Sequence, residues 1–193
     1  MNARAALCLA LVAAPAPAQP TMPRWNPKAP ENNQLIAAFS PGAVEGVLAA
    51  IGARYQRSGS DPSNPVIVTI LPTGRRAVIA LSACSRGGAA CKALTIQASW
   101  TKPAVPAQRL ADAIGRFNQR YAFAKAFVTA DARPALQYYL TGDYGFLRGN
   151  LAVDLLVFAD QAERFSREVL QPLVAKADER RQARPTASKA EAD

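Results

Sequence analysis

Cys84 and Cys91 enclose Ser-Arg-Gly-Gly-Ala-Ala and are the two residues of this chain best spaced to react with each other. The Arg-Gly-Gly between them is turn chemistry, because glycine tolerates positive φ. Apolar, strand-like runs flank both cysteines. The reading is a disulfide at the base of a hairpin. A metal or redox pair is the rival reading, but two thiolates make a poor zinc site and the spacing is not C-x-x-C. The chain has no histidine, which excludes Ser–His–Asp and Cys–His catalysis and removes the commonest metal ligand.

Two carboxylates are candidates for acid–base chemistry. Asp154 lies in the apolar run Val-Asp-Leu-Leu-Val, where burial would raise its pKa and let it act as an acid. Its place near the start of a helix suits the helix dipole equally well, and that reading is preferred. Asp143 could join it only if the fold brings the two together, which no spacing argument requires. Gly142, Gly145 and Gly149 match neither GxGxxG nor GxxxxGK[ST], so they read as a flexible strand-to-helix loop and not a phosphate cradle. Arg109, Arg116 and Arg120 fall on one helix face, with Lys125 close behind. They suit an acidic protein surface or anionic lipid headgroups, and a plain solvated face is the simpler alternative. No cofactor or metal is expected.

These residues sit in a chain of 193 residues with formal net charge +9, half hydrophobic by count but only 7% aromatic. The length suits one domain. At the N-terminus, Arg4 precedes the apolar run Ala5–Ala14 and then Pro-Ala-Pro-Ala. That is the layout of a secretory signal peptide over residues 1–18, cut after Ala18. The apolar run is too short, and too soon broken by proline, to span a bilayer. Leu7 before Cys8 argues against lipidation. Removing residues 1–18 takes away Cys8 and leaves Cys84 and Cys91 as a matched pair in an oxidising compartment, periplasmic or secreted. Export also makes nucleic acid a poor partner for the basic charge.

Residues 19–34 hold four prolines and read as an extended leader, with Trp25 folded back onto the domain. Ser40 followed by Pro41 marks a helix start. Val44, Val47, Leu48 and Ile51 form its apolar face, and Gly52 its stop. Strands are expected over 53–58, 66–71, 77–81 and, after the cysteine hairpin, 94–100. There Leu94, Ile96, Ala98 and Trp100 alternate with Thr95, Gln97 and Ser99, the pattern of a half-buried antiparallel strand. A second helix over 106–121 carries Leu110, Ile114, Phe117 and Tyr121. Strands over 125–129 and 135–140 follow. A third helix, capped by Asn150, carries Leu151, Leu155, Phe158, Ala162, Phe165 and Val169, with Pro172 ending or kinking it. Residues 35–175 form the domain, and the polar stretch 176–193 reads as disordered. The order α-β-β-β-β-α-β-β-α means α+β, an antiparallel sheet of five to six strands with three helices.

The segment Ile114-Gly-Arg-Phe-Asn-Gln-Arg-Tyr-Ala-Phe-Ala-Lys-Ala-Phe127 resembles the YbjN-like family of small bacterial proteins, described as sensory transduction regulators. That family shows an I-x-x-W-N helix leading through R-F-x-[RK]-A-[YF] into a strand. Phe117 stands where tryptophan is usual; Asn118, Phe123, Lys125, Ala126 and Phe127 match. Exported members also carry a cysteine pair before this helix, as Cys84 and Cys91 do. The resemblance spans about residues 35–172. It departs at Asp131-Ala-Arg-Pro134 and at Gln137-Tyr-Tyr139, where family members often carry acidic residues. The resemblance implies a fold similar to type III secretion chaperones and no catalytic residue.

The expectation is an exported, non-enzymatic module that holds a protein or peptide on the open face or edge of its sheet. Tyr138 and Tyr139 point to opposite faces of their strand, so only one can line that surface; Tyr138 joins Arg109, Arg116, Arg120 and Lys125 as a candidate partner-binding residue. A homodimer is compatible with this reading. The alternatives are an envelope enzyme acting through Asp143 or Asp154, and a structural envelope protein docked by its basic helix face.

Overall fold

The computed structural model describes residues 25–59 and 61–182. The expected signal peptide and cleavage site lie outside the described residues, as does 183–193. Strands β1 (Leu35–Ile36), β2 (Arg54–Ser58), β3 (Val66–Ile70), β4 (Arg76–Cys84), β5 (Cys91–Ser99), β6 (Lys125–Val128), β7 (Pro134–Thr141) and β8 (Phe146–Leu147) alternate with helices α1 (Pro41–Ala50), α2 (Ala107–Arg120), α3 (Arg148–Phe165) and α4 (Gln171–Gln182). Six strands form one antiparallel sheet in the order β2-β3-β4-β5-β7-β6, and β1 pairs with β8 in a separate two-stranded ribbon. The α+β class and the antiparallel sheet therefore stand as expected.

The sheet is amphipathic because its strands alternate. Ile67, Ile79 and Ile96 pair across β3, β4 and β5, and all three are fully buried. They meet the apolar faces of the helices: Val44, Val47 and Leu48 of α1, Leu110, Ile114 and Phe117 of α2, and Leu151, Leu155, Phe158 and Phe165 of α3. Ser40 caps α1 as its sequence suggests, its Oγ accepting from the Ala43 N–H at 3.2 Å. Phe117 packs edge-on to Phe165, with ring centroids 5.0 Å apart.

The third helix departs from expectation at both ends. It starts at Arg148, so Asn150 lies inside it and caps nothing. At the other end Ser166–Leu170 widens to π spacing, and the Gln171 N–H reaches back to the Ser166 carbonyl. The wider turn makes room for Pro172, which lacks an N–H and would crowd an α-helical turn. Proline therefore neither ends nor sharply breaks the helix, which runs to Gln182, beyond the point at which a disordered tail is expected.

The described part of the leader, from Trp25 on, is folded against the domain and not simply extended. Pro30–Asn33 forms a 3-10 turn, Asn32 is buried and donates from Nδ2 to the Asn26 carbonyl at 2.9 Å, and Trp25 packs against the core. This strap crosses the Gly142–Gly149 loop, and the glycines are its contact points. A Cβ on Gly142 would lie 2.8 Å from the Phe39 ring, one on Gly145 2.8 Å from the Ile36 carbonyl, and one on Gly149 2.9 Å from Asn32. The loop is thus a packed seat and not a flexible connection.

Cys84 and Cys91 are disulfide-bonded and sit opposite each other in the β4–β5 register. Cys91 is fully buried, and its backbone bridges to Phe39 of the strap. The bond closes a short loop, worth about 2–3 kcal/mol in the chain-entropy view. Urea unfolding of the Cys84→Ala/Cys91→Ala protein should show a loss of that size; an unchanged midpoint would mean the bond adds nothing.

Two hairpins share one turn geometry. In β3–β4 the Leu71 N–H donates to Arg75 O at 2.9 Å and the Gly74 N–H to Leu71 O at 2.8 Å; in β6–β7 the Thr129 N–H donates to Arg133 O and the Ala132 N–H to Thr129 O, both at 2.9 Å. The equivalent residues have positive φ, 83° at Gly74 and 61° at Ala132. Glycine adopts this conformation freely and alanine does not. Ala132→Gly should therefore stabilise by about 0.5–1 kcal/mol after the entropy of the added glycine is counted. A lower melting temperature in that variant would contradict the strain.

Candidate binding surfaces

The helices cover one face of the sheet and leave the other open. One row across the open face is Ser58–Val66–Ala80–Thr95–Tyr139, and the next is Gln56–Val68–Val78–Gln97–Gln137–Lys125. Val78 is 39% exposed and Tyr139 57%. Beyond them Ile70 lies between Arg54 and Arg76. The charged residues at these positions, Arg54, Arg76 and Lys125, are all cationic. Gln137 donates to Gln97 across the centre at 3.3 Å. The surface therefore offers β-branched and aromatic contact area, neutral hydrogen-bonding groups and positive charge.

Tyr138 does not belong to it. It pairs with Ile96 on the helix-covered side and stacks on Phe123, with centroids 3.9 Å apart. Burial raises its pKa, and the nearby Asp154 charge adds to the shift. The exposed tyrosine is Tyr139, because the register that buries Ile96 carries Tyr138 inward with it. This corrects the expectation that Tyr138 lines a partner surface.

The expected basic cluster divides as well. Arg109, Arg116 and Arg120 remain on α2, but Lys125 points from the open face of the sheet, since Ala124 and Ala126 take the buried positions beside it. Arg120 pairs with Glu168 at 3.4 Å and lies over the Tyr121 ring. The Tyr121 hydroxyl donates to the same carboxylate at 2.9 Å. Arg116 and Arg120 line a groove of about 400 Å³ with Phe117, Tyr121 and Glu168. Glu168 already partners Arg120 and Tyr121 there, while Arg116 has no acidic partner among the described residues.

Asp143 and Asp154 have different surroundings. Asp143 is exposed and pairs with Lys92 at 3.5 Å. Asp154 is half-buried, and desolvation raises its pKa. Because α3 starts at Arg148, Asp154 lies beyond its first turn, where the dipole has little effect. Burial, not the dipole, governs this carboxyl. Among the described residues no group of three or more His, Cys, Asp or Glu side chains could hold a metal ion. No described helix is long and apolar enough to cross a membrane.

The motif helix shows what its asparagine does. Asn118 accepts from the Ala126 N–H at 2.8 Å and donates to the Ala126 carbonyl at 2.9 Å. Gln161 of α3 does the same for Ala124, accepting at 3.1 Å and donating at 3.2 Å. Each carboxamide thus mimics one residue of a neighbouring strand, and together they cap the β6 edge at Ala124 and Ala126. In the sequence Asn118 stands out only as a motif match, and Gln161 does not stand out at all. The available signal for Gln161 is a polar residue on the buried stripe between Phe158, Ala162 and Phe165.

A six-stranded antiparallel sheet with helices on one face and the other face open defines an α+β domain. Residues 40–171 match the family model YbjN, "Putative bacterial sensory transduction regulator". The chain belongs to the YbjN family. The regulatory description accords with a non-enzymatic domain. A search of curated proteins finds no match.

Proposed function

We propose that this chain is an exported, non-enzymatic regulatory domain that binds a protein or peptide partner through the open face of its sheet. The observation carrying this reading is the face itself, six strands wide and left uncovered by the helices, with Val78 and Tyr139 exposed among cationic and neutral positions. Val66, Val68, Val78 and Ala80 adjoin across β3 and β4, and exposed apolar area of this kind marks interaction sites. The family's regulatory description supports a binding role. Export rests on the pattern of residues 1–18 and the paired cysteines.

The experiment is affinity purification from the native envelope with wild-type, Val78→Asp and Tyr139→Ala proteins. Both positions are exposed, so folding should survive. One partner should be recovered with the wild type and lost with the variants. Equal recovery from all three would remove the open face from consideration. N-terminal sequencing of the same sample should begin at Gln19; a chain still starting at Met1 would end the export reading.

A further inference from the structure

We propose that the free edge of β2 docks an extended acidic peptide segment, which joins the sheet as an added strand. This rests on the reading of the domain as a binding module and names where and what it binds.

The edges of the sheet are unequal. In an antiparallel ladder, alternate residues direct both backbone groups to the same neighbour. The Leu71 N–H bonds to Arg75 and the Leu81 N–H to Pro65, so the odd-numbered positions of β3 serve β4. Val66, Val68 and Ile70 then serve β2 through Ser58, Gln56 and Arg54. The N–H and C=O groups of Tyr55 and Arg57 are left pointing away from the sheet. No described residue takes them, and all five residues of β2 are exposed. At the far edge the outward groups of Ala124 and Ala126 are all taken by Gln161 and Asn118, which leaves Val128, at the end of β6, with outward groups that no described residue takes. An open row of backbone donors and acceptors is a template for strand addition.

Charge selects the occupant. β2 carries Arg54 and Arg57 and no carboxylate. Glu45 holds the Arg57 side chain through two hydrogen bonds, one at 2.9 Å. Arg54 has no acidic partner among the described residues and shares the open face with Arg76, across Ile70. A carboxylate opposite Arg54 on an added strand would meet that cation directly, with Arg76 two strands further in adding to the positive field, while Tyr55, 40% exposed, offers an aromatic contact on the other side. A second copy of β2 would instead add two arginines to an edge already positive, which disfavours self-pairing.

The test is selection of random dodecapeptides on the full mature protein, followed by amide exchange. Selected peptides should be rich in Asp, Glu and β-branched residues. In free protein the Tyr55 and Arg57 amides should exchange fast and the Gln56 amide slowly; bound peptide should slow the first two. Tyr55→Pro removes an outward N–H and leaves the β3 ladder intact. It should weaken binding about tenfold or more, as should Arg54→Glu, which has no backbone effect. Peptides without acidic bias, unchanged exchange at Tyr55 and Arg57, or full binding to both variants would overturn the proposal. So would a wild-type dimer that Tyr55→Pro converts to monomer, since the edge would then belong to a second copy. Peptides lost with Val78→Asp but kept with Tyr55→Pro would sink the edge and preserve the open face. No selected peptide at all would sink both.

Discussion

Asn118→Ala is expected to destabilise the domain by about 2–4 kcal/mol, since two hydrogen bonds vanish and a buried N–H and carbonyl lose their partner. Ala126 is only 2% exposed, so water cannot readily replace the carboxamide. The change also unlocks α2 from β6, and strand-edge amides should exchange faster. Asn118→Asp separates the two bonds. Its carboxylate still accepts from the Ala126 N–H, but it cannot donate to the Ala126 carbonyl and repels it instead. The protonated carboxyl can make both contacts, so the folded state favours the neutral form and raises this pKa above its unfolded value. The resulting stability is present below the unfolded pKa, about 3.9, and is lost as pH rises through the folded value. Relative to wild type at each pH, Asn118→Asp should therefore recover on acidification while Asn118→Ala should not. Parallel pH profiles for the two variants would show that the donated bond contributes nothing.

This pairing also marks where local sequence patterns stop being informative. The stripe Leu110–Ile114–Phe117 and the alternation of Leu94, Ile96 and Ala98 are visible as periodicity, because burial imposes the helical or strand period directly. The start of α1 and the cysteine hairpin follow from local chemistry of the same kind, whereas the order of the sheet, with β7 and not β6 beside β5, does not. Asn118 and Gln161 act on Ala126 and Ala124 across tertiary contacts, which no local period encodes. The choice between Tyr138 and Tyr139 is different. Alternation already sets Tyr138 on the face of Leu136 and Leu140 and Tyr139 on that of Gln137, and the pairing of Tyr138 with buried Ile96 agrees. Pro172 misleads for another reason: the rule that proline ends a helix assumes α-helical spacing, and the π turn before it relaxes that spacing. The basic cluster fails because Lys125 follows α2 in sequence yet points through the opposite face of the sheet.

The glycines of the Gly142–Gly149 loop show the same limit with a larger energetic consequence. Their spacing resembles a phosphate loop only loosely, and their role depends on a segment about a hundred residues earlier in the chain. Phe39 is 1% exposed, stacks on Phe146 with centroids 4.4 Å apart, and lies where a Cβ on Gly142 would be. Gly142→Val should therefore cost about 2–4 kcal/mol, because the ring has no empty space to enter and must break its stack or move the strap. Phe39→Ala alone should cost about 3–5 kcal/mol through the cavity it leaves. The double variant distinguishes overpacking from a general loss of loop flexibility. With the ring gone, valine fills part of the cavity, so the two costs should fall well short of adding. Full additivity in urea unfolding would mean that Gly142 is needed for backbone freedom and not for the approach of Phe39. The expected coupling would instead show that the strap is held against the loop by this contact, with Cys91 fixing the strap's other side through its backbone bridge to Phe39.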